Sequence, residues 1–394
     1  MIRLLADENM VGLSALASPG LQIRTVAGRA IDRAAVAEAD ALWVRSVTPV
    51  TADLLAGSPV RFVGTATAGT EHIDETWLRA SGIAFSAAPG SNANAVVEYV
   101  LGALLETGAW AQLEEGGSLG IVGYGHVGQR LAAVASRLGW RTVVSDPPLA
   151  ASRRERGEDG AAMEASLAQV LACDVISLHS SLERDGPWPS YHLLGEEELA
   201  QLRSHQLLIN ASRGAVIDNA ALCNRLAAGA PPQVVLDVWE GEPDFTVRLL
   251  DFDALRIATP HIAGYSRDAR HQATLLLYAR LRELYPDLPA PPDAGGDPNV
   301  LDGEGIDDAR ALLRCCYRID EDDRRFRALK ALESGARAKA FDRLRKEYPL
   351  RRELAHSVLG GVLCDVLGDE MGSEQKGESG SAAGRLYEAL HASL

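Results

Sequence analysis

Short apolar segments alternate with longer segments of helical periodicity over about the first two thirds of the chain. Apolar strands that alternate with helices indicate a parallel sheet covered by helices on both faces. Eight segments fit the strand pattern: Ile2–Ala6, Ala41–Arg45, Phe62–Gly64, Ser118–Val122, Thr142–Ser145, Val175–His179, Gln206–Asn210 and Gln233–Val238. Helical segments between them include Gln129–Leu138, Leu194–Gln201 and Asn219–Ala228. The pattern predicts an α/β fold with doubly wound parallel sheets.

The same pattern predicts two sheet units followed by an added C-terminal part. The predicted division is a first unit of residues 1–95 plus 261–285, a second unit of residues 96–260, a linker at 286–298, an added domain at 299–368 and a tail at 369–394. The linker reads PDLPAPPDAGGDP, and such Pro- and Gly-rich stretches connect domains. The tail has the Gly- and Ser-rich composition of a flexible segment, with a short helix predicted at Arg385–Ala392.

Composition narrows the class of protein. The formal net charge is -15, whereas binding to nucleic acid requires a basic face, so we expect no nucleic-acid partner. A local basic pocket for a small anion is compatible with this charge. The five cysteines are odd in number and form no C-x-x-C pair, so we expect neither a disulfide framework nor a metal site.

Two apolar segments bear on the membrane question. The N-terminal MIRLLADENM lacks the long apolar region of a signal peptide. The most apolar stretch, Ala93–Ala111, is interrupted by Glu98 and Glu106, and a carboxylate near the centre of a bilayer costs about 2.5–3.5 kcal/mol. We therefore expect a buried helix there, no membrane partner and a cytoplasmic location.

A glycine motif provides the strongest local signal. Gly123, Gly125 and Gly128 form G-x-G-x-x-G directly after an apolar strand and at the start of a helix. In dinucleotide-binding folds these glycines permit a tight turn, close approach of a pyrophosphate and close helix–strand packing. Asp146 ends the next strand, where an acidic residue accepts hydrogen bonds from a ribose 2′-hydroxyl and repels a 2′-phosphate. The motif predicts NAD as the cofactor.

Candidate catalytic residues follow three later strands. Arg213 lies in NASRG, Asp237 and Glu242 lie in VVLDVWEGEP, and His261 lies in TPHIAG. A guanidinium group binds a carboxylate through a planar pair of donors, and a histidine transfers protons near neutral pH. A carboxylate beside the histidine stabilises its protonated form. Singly, each residue also has a structural interpretation, such as an ion pair, a turn cap or a buried histidine.

The order of these motifs resembles the D-isomer-specific 2-hydroxyacid dehydrogenase family. The resemblance implies two Rossmann-like domains, hydride transfer between NAD and a 2-hydroxy acid, and an added C-terminal α+β domain that forms a homodimer. The segments ADENM, RSVTPVT and FVGTATAGTEHID resemble one branch of the family, whose substrate is a phosphorylated hydroxy acid. That small molecule is therefore the expected partner.

The resemblance also assigns roles to matching positions. It implies that Arg213 binds the substrate carboxylate, Glu242 tunes the histidine and His261 is the acid/base. The implied substrate contacts are Arg45, Ser46, Thr67 and Tyr265. The implied cofactor contacts are Gly123, Gly125, His126, Val127, Gly128, Asp146, Ser180, Ala211, Ser212, Arg213, Asp237 and Gly264.

Three alternatives stay open at this stage. The chain is compatible with another member of the same family, such as a phosphoglycerate dehydrogenase. It is also compatible with a non-catalytic protein that senses NAD, although Arg213, Glu242 and His261 favour catalysis. The C-terminal region is equally compatible with a module that binds another partner.

Overall fold

The computed structural model describes residues 1–291, 299–302, 306–349, 351–360 and 381–391. The chain divides into two compact units, Met1–Ala93 with Ser266–Pro298 and Asn94–Tyr265 with Asn299–Leu394. The division into two units does not test the finer domain boundaries drawn from the sequence, which remain predictions. Most of the predicted tail, and residues 292–298 of the predicted linker, lie outside the described residues.

Strands and helices alternate as the hydrophobic pattern predicts. The strands are β1 (Ile2–Asp7), β2 (Leu21–Val26), β3 (Ala41–Val44), β4 (Phe62–Thr65), β5 (Ala84–Ala87), β6 (Ser118–Val122), β7 (Arg141–Ser145), β8 (Val175–Leu178), β9 (Leu207–Asn210), β10 (Gln233–Leu236), β11 (Leu255–Ala258), β12 (Asn299–Asp302) and β13 (Ser357–Gly360). The α-helices are α1 (Arg33–Val36), α2 (Ala52–Leu55), α3 (Glu75–Ala80), α4 (Ala93–Thr107), α5 (Ala109–Glu114), α6 (His126–Arg137), α7 (Pro147–Glu155), α8 (Leu167–Leu171), α9 (Glu196–Gln201), α10 (Asn219–Ala227), α11 (Arg267–Leu284), α12 (Ala309–Cys316), α13 (Ile319–Arg327), α14 (Ser334–Lys346) and α15 (Ala382–His391). Short 3₁₀ helices span Leu13–Leu16, Gly28–Ala30, Ala161–Met163, Gly214–Val216, Val247–Asp251, Ala328–Ala331 and Leu354–His356.

The first unit is built on a five-stranded parallel sheet of order β2-β1-β3-β4-β5. Leu4 of β1 is aligned with Ala41 of β3. On one face Trp43 packs in a cluster with Leu277 of α11, and on the other face the core includes Leu78 of α3. Because both faces are covered, the central strands β3 and β4 are buried along their whole length.

The second unit is built on a six-stranded parallel sheet of order β11-β10-β9-β8-β6-β7. The chain passes from β6 to β7 on one side and then crosses to β8 on the other side of β6. Strand order therefore reverses beside β6, and open α/β sheets bind ligands at the carboxyl ends of the strands at such a point. The register aligns the last residues of five strands in one row, namely Val122, Leu178, Asn210, Leu236 and Ala258. The residues that follow each strand emerge together at this edge.

Residues after position 299 contribute to the core of the second unit. Leu312 and Tyr317 lie in the same buried cluster as Val97 of α4. Phe326 and Phe341 pack with Trp239, which lies between two of the predicted site residues. The added part is therefore continuous with the second sheet unit rather than a separate compact body.

Helix α15 differs from the flexible tail predicted for residues 369–394. Its Leu386 and Leu390 are fully buried. The guanidinium of Arg130 donates to the carbonyl of Leu390 and to Asn94 Oδ1 at 2.6 Å. The predicted helix at Arg385–Ala392 is present but begins three residues earlier. An apolar stripe on this short segment outweighs the Gly- and Ser-rich composition that precedes it.

The apolar stretch Ala93–Ala111 forms the buried helix α4 and the start of α5. Glu98 is fully buried and accepts a hydrogen bond from Arg351 at 2.7 Å. Glu106 accepts from Arg314 at 2.7 Å. The two acids that interrupt this stretch are thus docking points for the C-terminal part. Among the described residues, no helix combines the length and the apolar character that a membrane crossing requires.

Candidate active site

The glycine motif forms the turn between β6 and α6. Gly123 has φ +89°, and a Cβ there would lie 2.7 Å from the backbone of His179 and Ser180. A Cβ on Gly128 would overlap the carbonyl oxygen of Gly123, whereas a Cβ on Gly125 would meet open space. Gly123 and Gly128 therefore permit close backbone packing, and Gly125 leaves room beside the amino end of α6. This is a cradle that a side chain would fill and a pyrophosphate can enter.

His126 and Val127 form the first turn of α6, so their backbone N–H groups point out of its amino end.

Asp146 follows β7 and joins the glycine turn to the next helix. Its Oδ2 accepts from the backbone N–H of Tyr124 at 2.7 Å, and its Oδ1 caps α7 by accepting from Leu149 N–H at 2.9 Å. A carboxylate has about four acceptor positions, so these two bonds leave capacity for a ribose hydroxyl. The role in cofactor selection stays a prediction, and the sequence did not indicate the structural one.

Two buried polar atoms after β8 face the same edge. Within the part of the chain that the structure describes, neither His179 Nδ1 nor Ser180 Oγ has a hydrogen-bond partner. Burial lowers the pKa of His179 to about 4, so its ring is neutral at pH 7. An unsatisfied buried polar atom costs about 1–3 kcal/mol, which a polar ligand at this edge would recover. The residues beside β6, where the strand order reverses, therefore fit a dinucleotide.

Arg213 is carried on a tightly bonded loop after β9. Asn210 Nδ2 donates to the Arg213 carbonyl at 3.1 Å, and Asn210 Oδ1 accepts from the Ser212 hydroxyl at 2.8 Å. The guanidinium of Arg213 donates to the Ser212 carbonyl at 3.0 Å. Ala211 is half-buried against the main core. One buried amide thus sets the course of the loop from which the arginine projects.

Gly214 brings this loop against the loop that follows β10. A Cβ at Gly214 would overlap the carbonyl group of Trp239 and the amide nitrogen of Glu240. Only a glycine permits this approach, which places Arg213 beside the loop that carries Glu242. In the Arg213-Gly214 pair, the glycine is therefore required for packing, and the arginine is predicted to serve the chemistry.

Asp237 shapes the turn that presents the histidine. Its Oδ1 accepts from Thr259 Oγ1 at 2.7 Å and from Ile262 N–H at 2.8 Å, and its Oδ2 accepts from Ala263 N–H at 2.9 Å. Burial raises the pKa of Asp237 despite these bonds and the nearby charge of His261. Asp237 therefore acts first as the anchor of this turn, and its predicted contact with the cofactor remains a prediction.

His261 and Glu242 form the predicted pair. His261 has φ +57°, and its Nδ1 is hydrogen-bonded to Glu242 Oε1. Burial opposes ionisation of Glu242, but the charge and hydrogen bond of His261, together with Arg345, outweigh it and hold the pKa of Glu242 below its usual value. With Nδ1 held by a carboxylate, Nε2 is the ring atom left for exchanging a proton with a substrate.

The remaining predicted residues lie in both units. Gly264 and Tyr265 follow His261 in the second unit. Arg45 and Ser46 follow β3 in the first unit, and Thr67 follows β4 with its hydroxyl bonded to Thr65 Oγ1 at 2.7 Å. The second unit brings Arg213, Asp237, Glu242 and His261 together at one sheet edge. The first unit presents its own polar residues at the carboxyl ends of two neighbouring strands.

Sequence reasoning missed a histidine–carboxylate cluster beside this site. His192 Nε2 is 2.6 Å from Glu240 Oε1, and its Nδ1 is 3.6 Å from Asp218 Oδ2. One ligand atom from each residue lies within 4.8 Å of the others, a spacing that a cation fits. Both ring nitrogens of His192 face carboxylates, from Glu240 and from Asp218. The cluster ties the loop of Glu242 to the start of α10.

Comparison with known proteins agrees with this geometry. Residues 105–263 match the family described as D-isomer specific 2-hydroxyacid dehydrogenase, NAD binding domain. Residues 303–361 match a domain of unknown function, DUF3410. The D-lactate dehydrogenase of Aquifex aeolicus, solved with NAD and lactic acid, has the same fold, with a TM-score of 0.56 and 22% identity over 73% of this chain and 96% of that one. The expected fold class and the NAD-binding unit are confirmed.

Similarity to curated relatives extends over nearly the whole chain. The erythronate-4-phosphate dehydrogenase of Pseudomonas aeruginosa PAO1 is 48% identical over 370 residues, covering 90% of this chain and 93% of that protein. The enzyme of the same name from Pseudomonas syringae pv. tomato is 45% identical over 373 residues, with the same coverage. The chain therefore belongs to the erythronate-4-phosphate dehydrogenases, within the D-isomer specific 2-hydroxyacid dehydrogenase family.

Proposed function

We propose that this chain oxidises 4-phospho-D-erythronate to (R)-3-hydroxy-2-oxo-4-phosphobutanoate with NAD+, a step of pyridoxine (vitamin B6) biosynthesis. The observation that carries the proposal is the His261–Glu242 pair, held beside Arg213 at the same sheet edge as the glycine turn. A proton acceptor, a carboxylate-binding cation and a dinucleotide cradle are the groups that dehydrogenation of a 2-hydroxy acid requires. Family membership supplies the phosphorylated substrate.

The glycine turn, the first turn of α6, Asp146 and Ser180 are the groups that hold NAD. NAD+ supplies the acceptor for the hydride that leaves C2 of the substrate. Gly125 leaves the space for the pyrophosphate, and the buried Ser180 hydroxyl and His179 Nδ1 provide polar atoms that gain a partner on binding. The protein contributes orientation and electrostatics.

The proton and the carboxylate are handled by this chain's own residues. Neutral His261 takes the proton of the C2 hydroxyl at Nε2 as the hydride departs. Glu242, ionised and bonded to Nδ1, favours the imidazolium that forms. Arg213 binds the substrate carboxylate and so keeps C2 in a reactive position.

The distal phosphate requires a second set of groups, for which we propose Arg45, Ser46, Thr67 and Tyr265. Arg45 and Ser46 directly follow β3, and Thr67 follows the neighbouring β4. A guanidinium and hydroxyls are suited to phosphate because charge-assisted hydrogen bonds are about twice as strong as neutral ones. Loss of one such contact costs about 1.5–3 kcal/mol, roughly ten- to a hundredfold in binding.

A substrate panel tests the proposal. We expect kcat/KM for 4-phosphoerythronate to exceed by far that for erythronate, D-lactate and 3-phosphoglycerate. Arg45→Ala should reduce the preference for 4-phosphoerythronate over erythronate by about ten- to a hundredfold. Arg61→Ala is the matched control, because Arg61 is an exposed arginine in the same unit. Equal kcat/KM for erythronate and its 4-phosphate, or a higher value for 3-phosphoglycerate, would refute the proposed substrate. Dehydrogenation of some other 2-hydroxy acid would then be the remaining reading.

We propose further that the chain forms a homodimer through its C-terminal part. The strands β12 and β13 pair in parallel, and the aligned Val300 and Val358 are 63% and 47% exposed. Parallel strands normally have both faces covered, so an exposed apolar pair on a two-stranded sheet favours a protein partner. From the family resemblance we infer that this partner is a second copy of the chain.

Truncation before residue 299 would be a poor test of assembly because it removes Leu312 and Leu386 from the core. Val358→Asp instead changes an exposed position. We expect sedimentation to show a dimer for the unchanged chain at micromolar concentration and a shift towards monomer for the variant. A monomeric unchanged chain would contradict the proposal.

A further inference from the structure

The C-terminal part brings an arginine to the predicted catalytic pair. Arg345 lies near the end of α14, and its Cζ is 5.8 Å from the centroid of the Tyr265 ring. Tyr348, which follows the end of α14, packs edge-on against the same ring at 5.9 Å and donates its hydroxyl to Asp322 at 2.8 Å. Tyr265, four residues after His261, is thus held from one side by two residues of the C-terminal part.

The charge of Arg345 acts on Glu242 as well. Burial alone would lower the pKa of Arg345, but its interactions with Tyr265, Glu242 and Asp237 raise it, so the group is always protonated. The same charge contributes to the low pKa of Glu242. The charged groups near the pair therefore include Arg213 and Asp237 from the sheet edge and Arg345 from α14.

We propose that Arg345 is a positioning residue of the active site, which orients Tyr265 and supplies a fixed positive charge behind the Glu242–His261 pair. The C-terminal part then completes the catalytic centre in addition to any role in assembly. Residues 303–361 match a domain of unknown function, so this assigns a task to that segment. The inference rests on the proposed function for the catalytic role of His261 and for the identity of the substrate.

An arginine fits both tasks at once. Its planar guanidinium can bond the Tyr265 hydroxyl and lie against the ring, and it stays charged at any relevant pH. One N–H remains for a further partner, because within the described residues Arg345 Nε has none. A lysine would keep the charge but not the planar contact, so the two tasks can be separated by substitution.

The test compares Arg345→Met, Arg345→Lys and the control Arg343→Met, an exposed arginine on the same helix. Without the cation, the carboxylate form of Glu242 is less favoured, so the pKa of Glu242 rises towards its usual value. We expect Arg345→Met to lower kcat/KM for 4-phosphoerythronate about ten- to a hundredfold, as a misplaced catalytic group does. The acidic limb of its kcat/KM–pH profile should move to higher pH, because the carboxyl group of Glu242 stays protonated to higher pH. Arg345→Lys should restore the limb but not the full rate.

A substrate-independent measurement separates this inference from the proposed function. NMR of glutamate labelled at the side-chain carboxyl carbon follows protonation of Glu242, whose signal is assigned with Glu242→Gln. The titration midpoint should rise in Arg345→Met and stay unchanged in Arg343→Met and Arg345→Lys. Combining Arg345→Met with Tyr265→Phe should cost less than the sum of the single changes, since the two residues act together. Folded Arg345→Met with an unchanged midpoint and unchanged rate overturns the assignment, whatever the substrate proves to be.

Discussion

Gly214→Ala tests whether the site depends on close contact between two backbone segments. The added Cβ would lie closer than 3.0 Å to the Trp239 carbonyl and the Glu240 nitrogen, a distance that Cβ atoms essentially never show. Carbon atoms in contact prefer about 3.5–4.0 Å, so the two loops must separate by more than about half an ångström. Neither neighbour is the end of a flexible side chain. The strain therefore moves the loop of Arg213 relative to that of Glu242.

The expected cost has two parts. Overpacking of this kind destabilises by about 1–3 kcal/mol, which lowers Tm by roughly 2–12 °C at about 2–4 °C per kcal/mol for a domain of this size. A displacement of about 1 Å between catalytic groups costs on the order of a hundredfold in rate, so kcat should fall about ten- to a hundredfold. Binding of NAD should change less, because the glycine turn lies on a different strand.

Thermal unfolding, steady-state kinetics and NAD titration of the same preparation distinguish these effects. Gly229→Ala is the matched control, since its Cβ would meet nothing within 4 Å. It should leave kcat and Tm nearly unchanged. If Gly214→Ala has the kcat and Tm of the control, the contact between the two loops does not position the site.

Three further predictions follow from the same geometry. His261→Gln should lose most turnover in both directions while NAD binding, measured by calorimetry, persists; near-normal turnover would rule out the histidine as acid/base. Asp146→Ala should relax the preference for NAD over NADP and, by removing the cap of α7, destabilise by about 0.5–2 kcal/mol in urea unfolding; a preference for NADP in the unchanged protein would contradict the role of the acid. Glu242→Gln should destabilise at neutral pH, because the pKa of Glu242 is lowered in the folded state, and the difference from the unchanged protein should vanish as pH falls through that pKa; a pH-independent difference would show that ionisation of the carboxyl is not its source.

The central strands could be predicted from the sequence, whereas of the edge strands only β7 could. All eight predicted strands are present within two residues of their predicted ends. The missed strands are β2, β5 and β11, which are sheet edges, and β12 and β13, which form a two-stranded sheet. In β2 the exposed Gln22 and Arg24 interrupt the apolar pattern, and β5 reads Ala-Phe-Ser-Ala. An edge strand needs no continuous apolar run, so hydrophobic pattern alone does not reveal it.

The site was predictable where its chemistry lies within short segments. The glycine turn, Asp146 and Glu242 each follow a strand that the pattern indicates, His261 is indicated by its local motif, and parallel strands deliver these residues to one edge. Arg345 follows no such strand. It lies 80 residues after Tyr265 on a charged helix, where nothing local distinguishes it from exposed neighbours such as Arg343. Only tertiary packing selects it.

The structure also shows that conspicuous polar residues here serve the backbone before they serve a ligand. Asn210 holds the loop of Arg213, Asp237 holds the turn of His261, and Asp146 holds the glycine turn. Each is a buried or half-buried acceptor whose oxygens receive main-chain or hydroxyl donors, and leaving those donors unpaired costs about 1–3 kcal/mol each. A catalytic group presented from such a loop has little freedom, which is the condition for holding reacting atoms in a productive geometry. Substitution of these anchors should therefore lower stability and turnover together, whereas substitution of His261 itself should lower turnover far more than stability.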